Sequence, residues 1–363
     1  MYIQLADILQ IPGMATVNMR ADALMSAAEN LLELRQLDGV LGLLSRAERS
    51  GADPDRCAAA RWMATMLQGD FESAWSESDA IRKRGTPDEH RMWQGEDVTG
   101  RRVIVRCLHG FGDTVQFLRY APLLNRRAAE VIWEMSSAMI DVARCFHGVE
   151  QVCAWGAESV ASRRWDVQIE VMELPYLFRT TVVDLPIASR YLRLPDATIG
   201  RVANEMGSGE RPRVAVVWGA GAWNESRSIP FHLLRPLLEI GECEFWNLQG
   251  GPRRAEAERT TPLRDTAACN DGILCLAGVI SQLDLVLTVD TLAAHLAGAL
   301  GVPAWLLLQH AADWRWMASR TESPWYPSLR IFRQPSPGAW DHVVRAVAER
   351  LQIWVQQEQM RSA

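Results

Sequence analysis

The 363-residue sequence predicts an α/β protein with two parallel-sheet domains in tandem, preceded by a short α-helical region. Three features carry that prediction. Residues 19–84 show helical periodicity and little else. From residue 101 the pattern becomes strand, loop, helix, and the same pattern begins again near residue 214 after a polar stretch with scattered glycine and proline. The implied boundaries are 1–90 for the helical region, 91–208 and 209–335 for the two α/β domains, and 336–363 for a C-terminal helix.

In the helical region, Arg35-Gln36-Leu37-Asp38-Gly39-Val40 aligns with Gly69-Asp70-Phe71-Glu72-Ser73-Ala74, 34 residues later. That period resembles tetratricopeptide repeats, although there is room for only about two units. So short a stack is marginal alone and needs other chain to cover its apolar face. A plain helical cap fits the same pattern.

The first α/β domain opens with the β-branched run Val103–Leu108, the loop HGFGD and a helix over Thr114–Leu124. Strands follow at Val131–Met135 and Asp166–Glu170, and residues 195–212 read as a helix plus linker. The second domain repeats the plan. Val214–Trp218 is a strand, Gly219–Ser228 a loop, and Pro230 marks a helix start. Cys243–Leu248, Ile273–Leu276, Leu285–Val289 and Ala304–Leu308 read as further strands. Thr291–Leu300 is a helix stopped by Gly301 and Pro303, and His342–Gln357 is an amphipathic tail helix. Two Rossmann-like domains facing a cleft follow from this order.

Composition narrows the function. Hydrophobic residues make up 48% and charged residues 23%, which excludes disorder as the main state. With 38 basic against 44 acidic residues and a net charge of −6, there is no general pull towards phosphate backbones or anionic membranes. Nucleic acid is therefore not an expected partner. The cysteines Cys57, Cys107, Cys145, Cys153, Cys243, Cys269 and Cys275 form no C-x-x-C pair, which suits buried thiols in a reducing compartment. The start, MYIQLADILQIPG, has no basic leader and carries Asp7 in its apolar stretch. No run approaches the ~18 apolar residues of a transmembrane segment, so a cytoplasmic protein is expected. Lys83 is the only lysine. That excludes a Schiff-base lysine and a GxxxxGK phosphate loop, and leaves any charge clamp to arginine.

Parallel sheets bind ligands at the carboxyl ends of their strands. In the first domain that place holds His109, Gly110, Phe111, Gly112 and Asp113. A dinucleotide fingerprint fails there, because its third glycine position is Val115 and Asp113 would repel a pyrophosphate. Asp113 suits a general base for a hydroxyl in the cleft, or an N-cap for the helix from Thr114. In the second domain a strand ends in Asp290 and a small-residue helix follows at once. The amides of Thr291, Leu292 and Ala293 would form a diphosphate site. Asp290 would bond sugar hydroxyls or cap the helix. His295, one turn in, would be a buried core histidine on these grounds alone. Arg227 enters from the loop before Pro230 to neutralise a leaving diphosphate, or is solvated. Tryptophan is abundant (15, against 5 tyrosines and 8 phenylalanines), and Trp223 is the one placed for ligand contact.

Six segments together resemble a known family: GDFESAW (69–75), MWQGEDVTGRRVIV (92–105), HGFGDTVQFLRYAPLL (109–124), VVWGAGAWNESRSIP (216–230), VDTLAAHLAGALGVPAWLLL (289–308) and DWRWMASRTESPWYPSLRIFRQ (313–334). In that order they look like bacterial tetratricopeptide-repeat glycosyltransferases with a GT-B module, similar in the catalytic half to ADP-heptose:lipopolysaccharide heptosyltransferases. The resemblance implies Asp113 as base and Arg227 as donor-phosphate ligand. It implies Asp290, Thr291 and His295 as contacts to the donor sugar and diphosphate. It further implies a nucleotide-sugar donor, a glycan or protein acceptor, possible protein docking on the helical region, and no cofactor or bound metal. The loop Gly219–Ser226 is shorter than in relatives, so a non-catalytic scaffold or partner-binding protein is the alternative.

Overall fold

The computed structural model describes residues 19–85, 93–156, 165–186, 190–221, 224–257, 263–266 and 271–362. The N-terminal segment, Trp223 and Cys269 lie outside the described residues. The chain forms two compact units.

The first unit takes the chain up to Gly95 together with Glu173–Leu185 and Ala311–Arg320. Its helices α1 (Met19–Glu33), α2 (Val40–Arg49), α3 (Pro54–Gln68) and α4 (Phe71–Arg84) pack each on the next. Asp53 caps α3 by accepting the Arg56 N–H at 2.7 Å, and Pro54 fills the first helical position. Asp70 caps α4 by accepting the Ser73 N–H at 3.1 Å. Arg35 and Gly69, matched by the 34-residue spacing, are both left-handed, with φ of 56° and 85°. Both lie just after the first helix of a pair, but residues 34–39 join α1 to α2 whereas Gly69 and Asp70 alone join α3 to α4, so the two turns differ. The returning segments complete the core. Trp314 packs edge-on against Trp62 and Phe71, with centroids 5.7 and 6.1 Å apart. The Trp75 Nε1–H donates to the Thr180 carbonyl at 2.7 Å.

The second unit holds two parallel sheets. The first sheet has the order β3 (Gln151–Ala154), β2 (Glu130–Met135), β1 (Arg102–Arg106), β4 (Val167–Glu170). The second has the order β6 (Glu244–Asn247), β5 (Arg213–Val217), β7 (Leu285–Val289), β8 (Ala304–Leu308), β9 (Leu329–Arg333). The central strands are continuous apolar runs because both faces are covered. The core of the second sheet gathers Val216, Leu287, Val289 and Leu307. Val343, Val347 and Leu351, one face of the tail helix Trp340–Ser362, join the same core. These three residues recur at the three-to-four spacing of a helix, and burying each contributes roughly 1.5–3 kcal/mol. No helix among the described residues is long and apolar enough to cross a membrane.

The strand expected at Ile273–Leu276 is instead part of an α-helix, Ile273–Ile280. A short apolar run fits a buried helix as well as a buried strand. Packing on the helix Asp196–Met206 decides it, with Gly278 letting Val202 and Thr198 come close. The helix expected from Thr114 begins at Phe111, tightens to a 3-10 turn at Leu118–Tyr120 and restarts at Ala121 beside Pro122. Strands β3 and β9 went unread because neither is a continuous apolar run. The first is only partly buried, and the second, LRIFR, is interrupted by arginine.

Cys57, Cys107, Cys243 and Cys275 are buried free thiols, and burial pushes Cys243 up to about 12.

Candidate active site

In each sheet the connections change sides at one place, and ligands collect at such switch points beyond the carboxyl strand ends. The strand orders put these points between β1 and β4, and between β5 and β7. Loops following β1, β5 and β7 carry the residues singled out in the sequence.

Beyond β7, Asp290 and Thr291 lead into helix Leu292–Leu300. Thr291, not Asp290, occupies the N-cap position. Its backbone is extended and its side chain makes no capping bond; its hydroxyl lies 3.1 Å from Thr288 Oγ1. The first-turn amides of Leu292 and Ala293 thus get no cap from Thr291 and bring the positive end of the helix dipole with them. Arg227 closes the 3-10 turn Glu225–Arg227 after β5. Its Nη1–H donates to the Asp290 carbonyl at 3.0 Å and lies 4.0 Å from Asp290 Oδ2. The other carboxylate oxygen, Oδ1, lies 3.9 Å from His295 Nε2. Asp290 therefore stands between Arg227 and His295. Behind the histidine, Nδ1 meets Tyr326 Oη at 2.9 Å, and only 5% of His295 is exposed.

The loop after β1 meets this helix. A Cβ on Gly112 would lie 2.6 Å from His295 Cδ2, so glycine is required for the helix Phe111–Phe117 to rest on the imidazole. Gly298, three residues beyond the histidine, does the same for the ring of Tyr326, where a Cβ would lie 2.2 Å from Cδ1. Gly112 thus serves close helix packing. Asp113 is not the N-cap of a helix starting at Thr114. Gly110 is the N-cap, and Asp113 is the third residue of the helix, its Oδ2 accepting the Gly110 N–H at 3.0 Å. The carboxylate is anchored to its own loop and partly exposed.

Sequence reading missed Glu170, at the end of β4. Its side chain is 18% exposed, its Oε2 accepts the Met172 N–H at 2.7 Å, and its Oε1 lies 3.9 Å from His109 Nε2. Burial raises Glu170 to about 7, against hydrogen bonds from the Met172 and Leu108 amides, and the charge of Asp113 raises it further. A strand closing on an acidic residue is the same signal that singled out Asp290. Tyr326 was missed too, since nothing in its local sequence ties it to His295.

Arg227, Asp290, Thr291, Leu292, Ala293 and His295 are brought together on the second sheet. His109 and Gly110 stand after β1 of the first, and Gly112 and Asp113 in the first turn of the helix that follows, joined to the others through Gly112 and His295. The sequence matches no protein-family profile. Protein FlbA of Caulobacter vibrioides is 24% identical over 365 residues, covering 88% of this chain; the chain spans 59% of that relative's length. Among solved structures, Escherichia coli ADP-heptose lipopolysaccharide heptosyltransferase II superposes with a TM-score of 0.54 at 14% identity, covering 71% of this chain and 99% of that one. A family 9 glycosyltransferase of Veillonella parvula gives a TM-score of 0.50 at 11% identity, covering 66% and 87%. The fold is GT-B.

One expectation is corrected by a further neighbour. TibC of enterotoxigenic E. coli, with a TM-score of 0.46 at 11% identity over 68% of this chain and 67% of that one, is described as an iron-containing glycosyltransferase. The absence of a bound metal is therefore not a general property of such proteins. Arginine and helix amides can meet the charge of a diphosphate, but that says nothing of an ion with another role. Among the described residues no three His, Cys, Asp or Glu side chains are grouped to hold an ion.

Proposed function

We propose that this chain is a glycosyltransferase that moves a sugar from a nucleotide-sugar donor to a hydroxyl of a glycan or a protein. The observation that carries the reading is the convergence of Arg227 on the Asp290–Thr291 turn. There a planar cation and the first amides of helix Leu292–Leu300 address one place beyond β7. That combination fits a diphosphate, which takes the guanidinium fork and the helix dipole together. Asp290, between Arg227 and His295, is assigned to the donor sugar. Trp223 is kept as a donor contact from the sequence resemblance.

The acceptor hydroxyl gives its proton to Asp113 as its oxygen bonds to the anomeric carbon. The bond from that carbon to the diphosphate breaks, and the electron pair leaves with the diphosphate. Arg227 and the amides of Leu292 and Ala293 stabilise that charge as it develops, so they lower the barrier rather than merely bind the donor. Docking of a partner protein on the helical hairpins of the first unit is part of the same proposal.

Incubation with ADP-heptose, with ADP release followed against time, tests the reading. Slow release to water is expected, together with a fall of about 100-fold or more in Asp113→Asn, the range ascribed to a positioned base. Neither ADP release nor a change in melting temperature with any nucleotide sugar would favour the non-catalytic scaffold.

A further inference from the structure

The loop Leu108–Gly110 is held by two carboxyl groups, one on each side. Asp113 takes the Gly110 amide. Glu170 takes the Leu108 amide and faces the His109 ring. The strand register makes this possible: β4 runs parallel to β1 with Arg106 beside Glu170, so the last residue of β4 lies against the chain leaving β1. Glu170 Oε1 is buried and has no hydrogen-bond partner, and it is turned on His109 Nε2. The nearby guanidinium of Arg106 is committed elsewhere, to Glu134 on β2 and to Gln168 on β4 at 2.9 Å. A carboxyl buried to this degree without an arginine is costly to keep for structure alone.

We propose that Glu170 is a positioning residue for the proton acceptor of this site, acting through His109 on the loop that leads into the helix of Asp113. The proposal rests on the transferase reading given above. When Glu170 is ionised, a small turn of the His109 ring lets Nε2–H donate to Oε1. The negative charge then strengthens proton uptake by His109. When Glu170 is protonated, that support is lost and His109 binds a proton less well. Among the described residues, the ionisable groups around it include His109 on the loop, Asp113 in the first turn of the helix that follows, Cys107 after β1, and Glu134, which is paired with Arg106. Of these, Cys107 stays a neutral thiol, held far above its usual range by burial. Two carboxyls in unlike surroundings at one strand switch point are the arrangement from which acid and base roles are drawn in other enzymes.

The test uses the full chain labelled with 15N-histidine, titrated by NMR from pH 5 to pH 9 without ligand, with His109 assigned by His109→Gln. The expected result is a His109 midpoint lower by at least about half a pH unit in Glu170→Gln, the size of one nearby charge, and restored in part by Glu170→Asp. In parallel, ADP release from ADP-heptose is measured against pH. A rising limb near pH 7 in the parent protein is expected to flatten in Glu170→Gln, with kcat lowered and KM for ADP-heptose unchanged. Unaltered His109 titration in both Glu170 variants would overturn the proposal, as would an unaltered pH–rate profile. If the parent protein neither binds nor hydrolyses ADP-heptose, the transferase reading fails while the NMR titration still decides the role of Glu170. If Glu170→Gln does not fold, Glu170→Asp and the titration of His109 in the parent protein decide it.

Discussion

Asp113 and Glu170 serve the same loop, but burial treats them differently. Asp113 is partly exposed and bonds a backbone amide. Glu170 is sunk at the end of β4 and raised to about 7 from 4.5. A carboxyl raised on folding contributes its stability below the unfolded value and loses it as pH rises through the folded value. Glu170→Gln is therefore expected to match the parent protein in stability near pH 4.5 and to gain between pH 4.5 and 7. Above that the advantage levels off at up to about 3 kcal/mol, read as the difference in urea midpoints across pH. Asp113, Asp290 and Arg227 were legible in the sequence because each interrupts a loop or strand end with a charge. Glu170 was not singled out, because its burial and its register beside Arg106 depend on chain 64 residues away.

At the level of elements, the contact between helices Phe111–Phe117 and Leu292–Leu300 explains the small residues in both. Around it Arg119 is fully buried. It donates to the carbonyls of Gln116 and Trp325 at 2.7 and 2.9 Å and to Tyr191 Oη at 3.1 Å. Its guanidinium also lies 4.8–5.3 Å from the ring centroids of Tyr191, Trp325 and Tyr326. Arg119→Met is expected to destabilise the protein by about 3 kcal/mol, since it removes three hydrogen bonds and leaves buried acceptors unmet. Arg119→Lys should not rescue it, because an ammonium has neither the fork nor the flat face. Chemical denaturation checks both. The β1, β2, β5, β7 and β8 strands were readable as apolar runs. The segment 273–280 was not, since apolarity without a period does not choose between strand and helix.

For the molecule as a whole, the repeat of one α/β plan was visible in the rhythm of strand, loop and helix. The completion of the helical unit by Glu173–Leu185 and Ala311–Arg320 was not, because contacts such as Trp75 with Thr180 and Phe71 with Trp314 are non-local. Both strand switch points carry their charged residues on the carboxyl side, and the diphosphate reading depends on the one beyond β7. Calorimetric titration of ADP into the full chain and into Arg227→Met tests it most directly. Saturable binding is expected in the parent protein, weakened about tenfold or more once the charge-assisted bonds from Arg227 are gone. Absence of ADP binding, or equal affinity in Arg227→Met, would contradict a diphosphate site at the start of helix Leu292–Leu300.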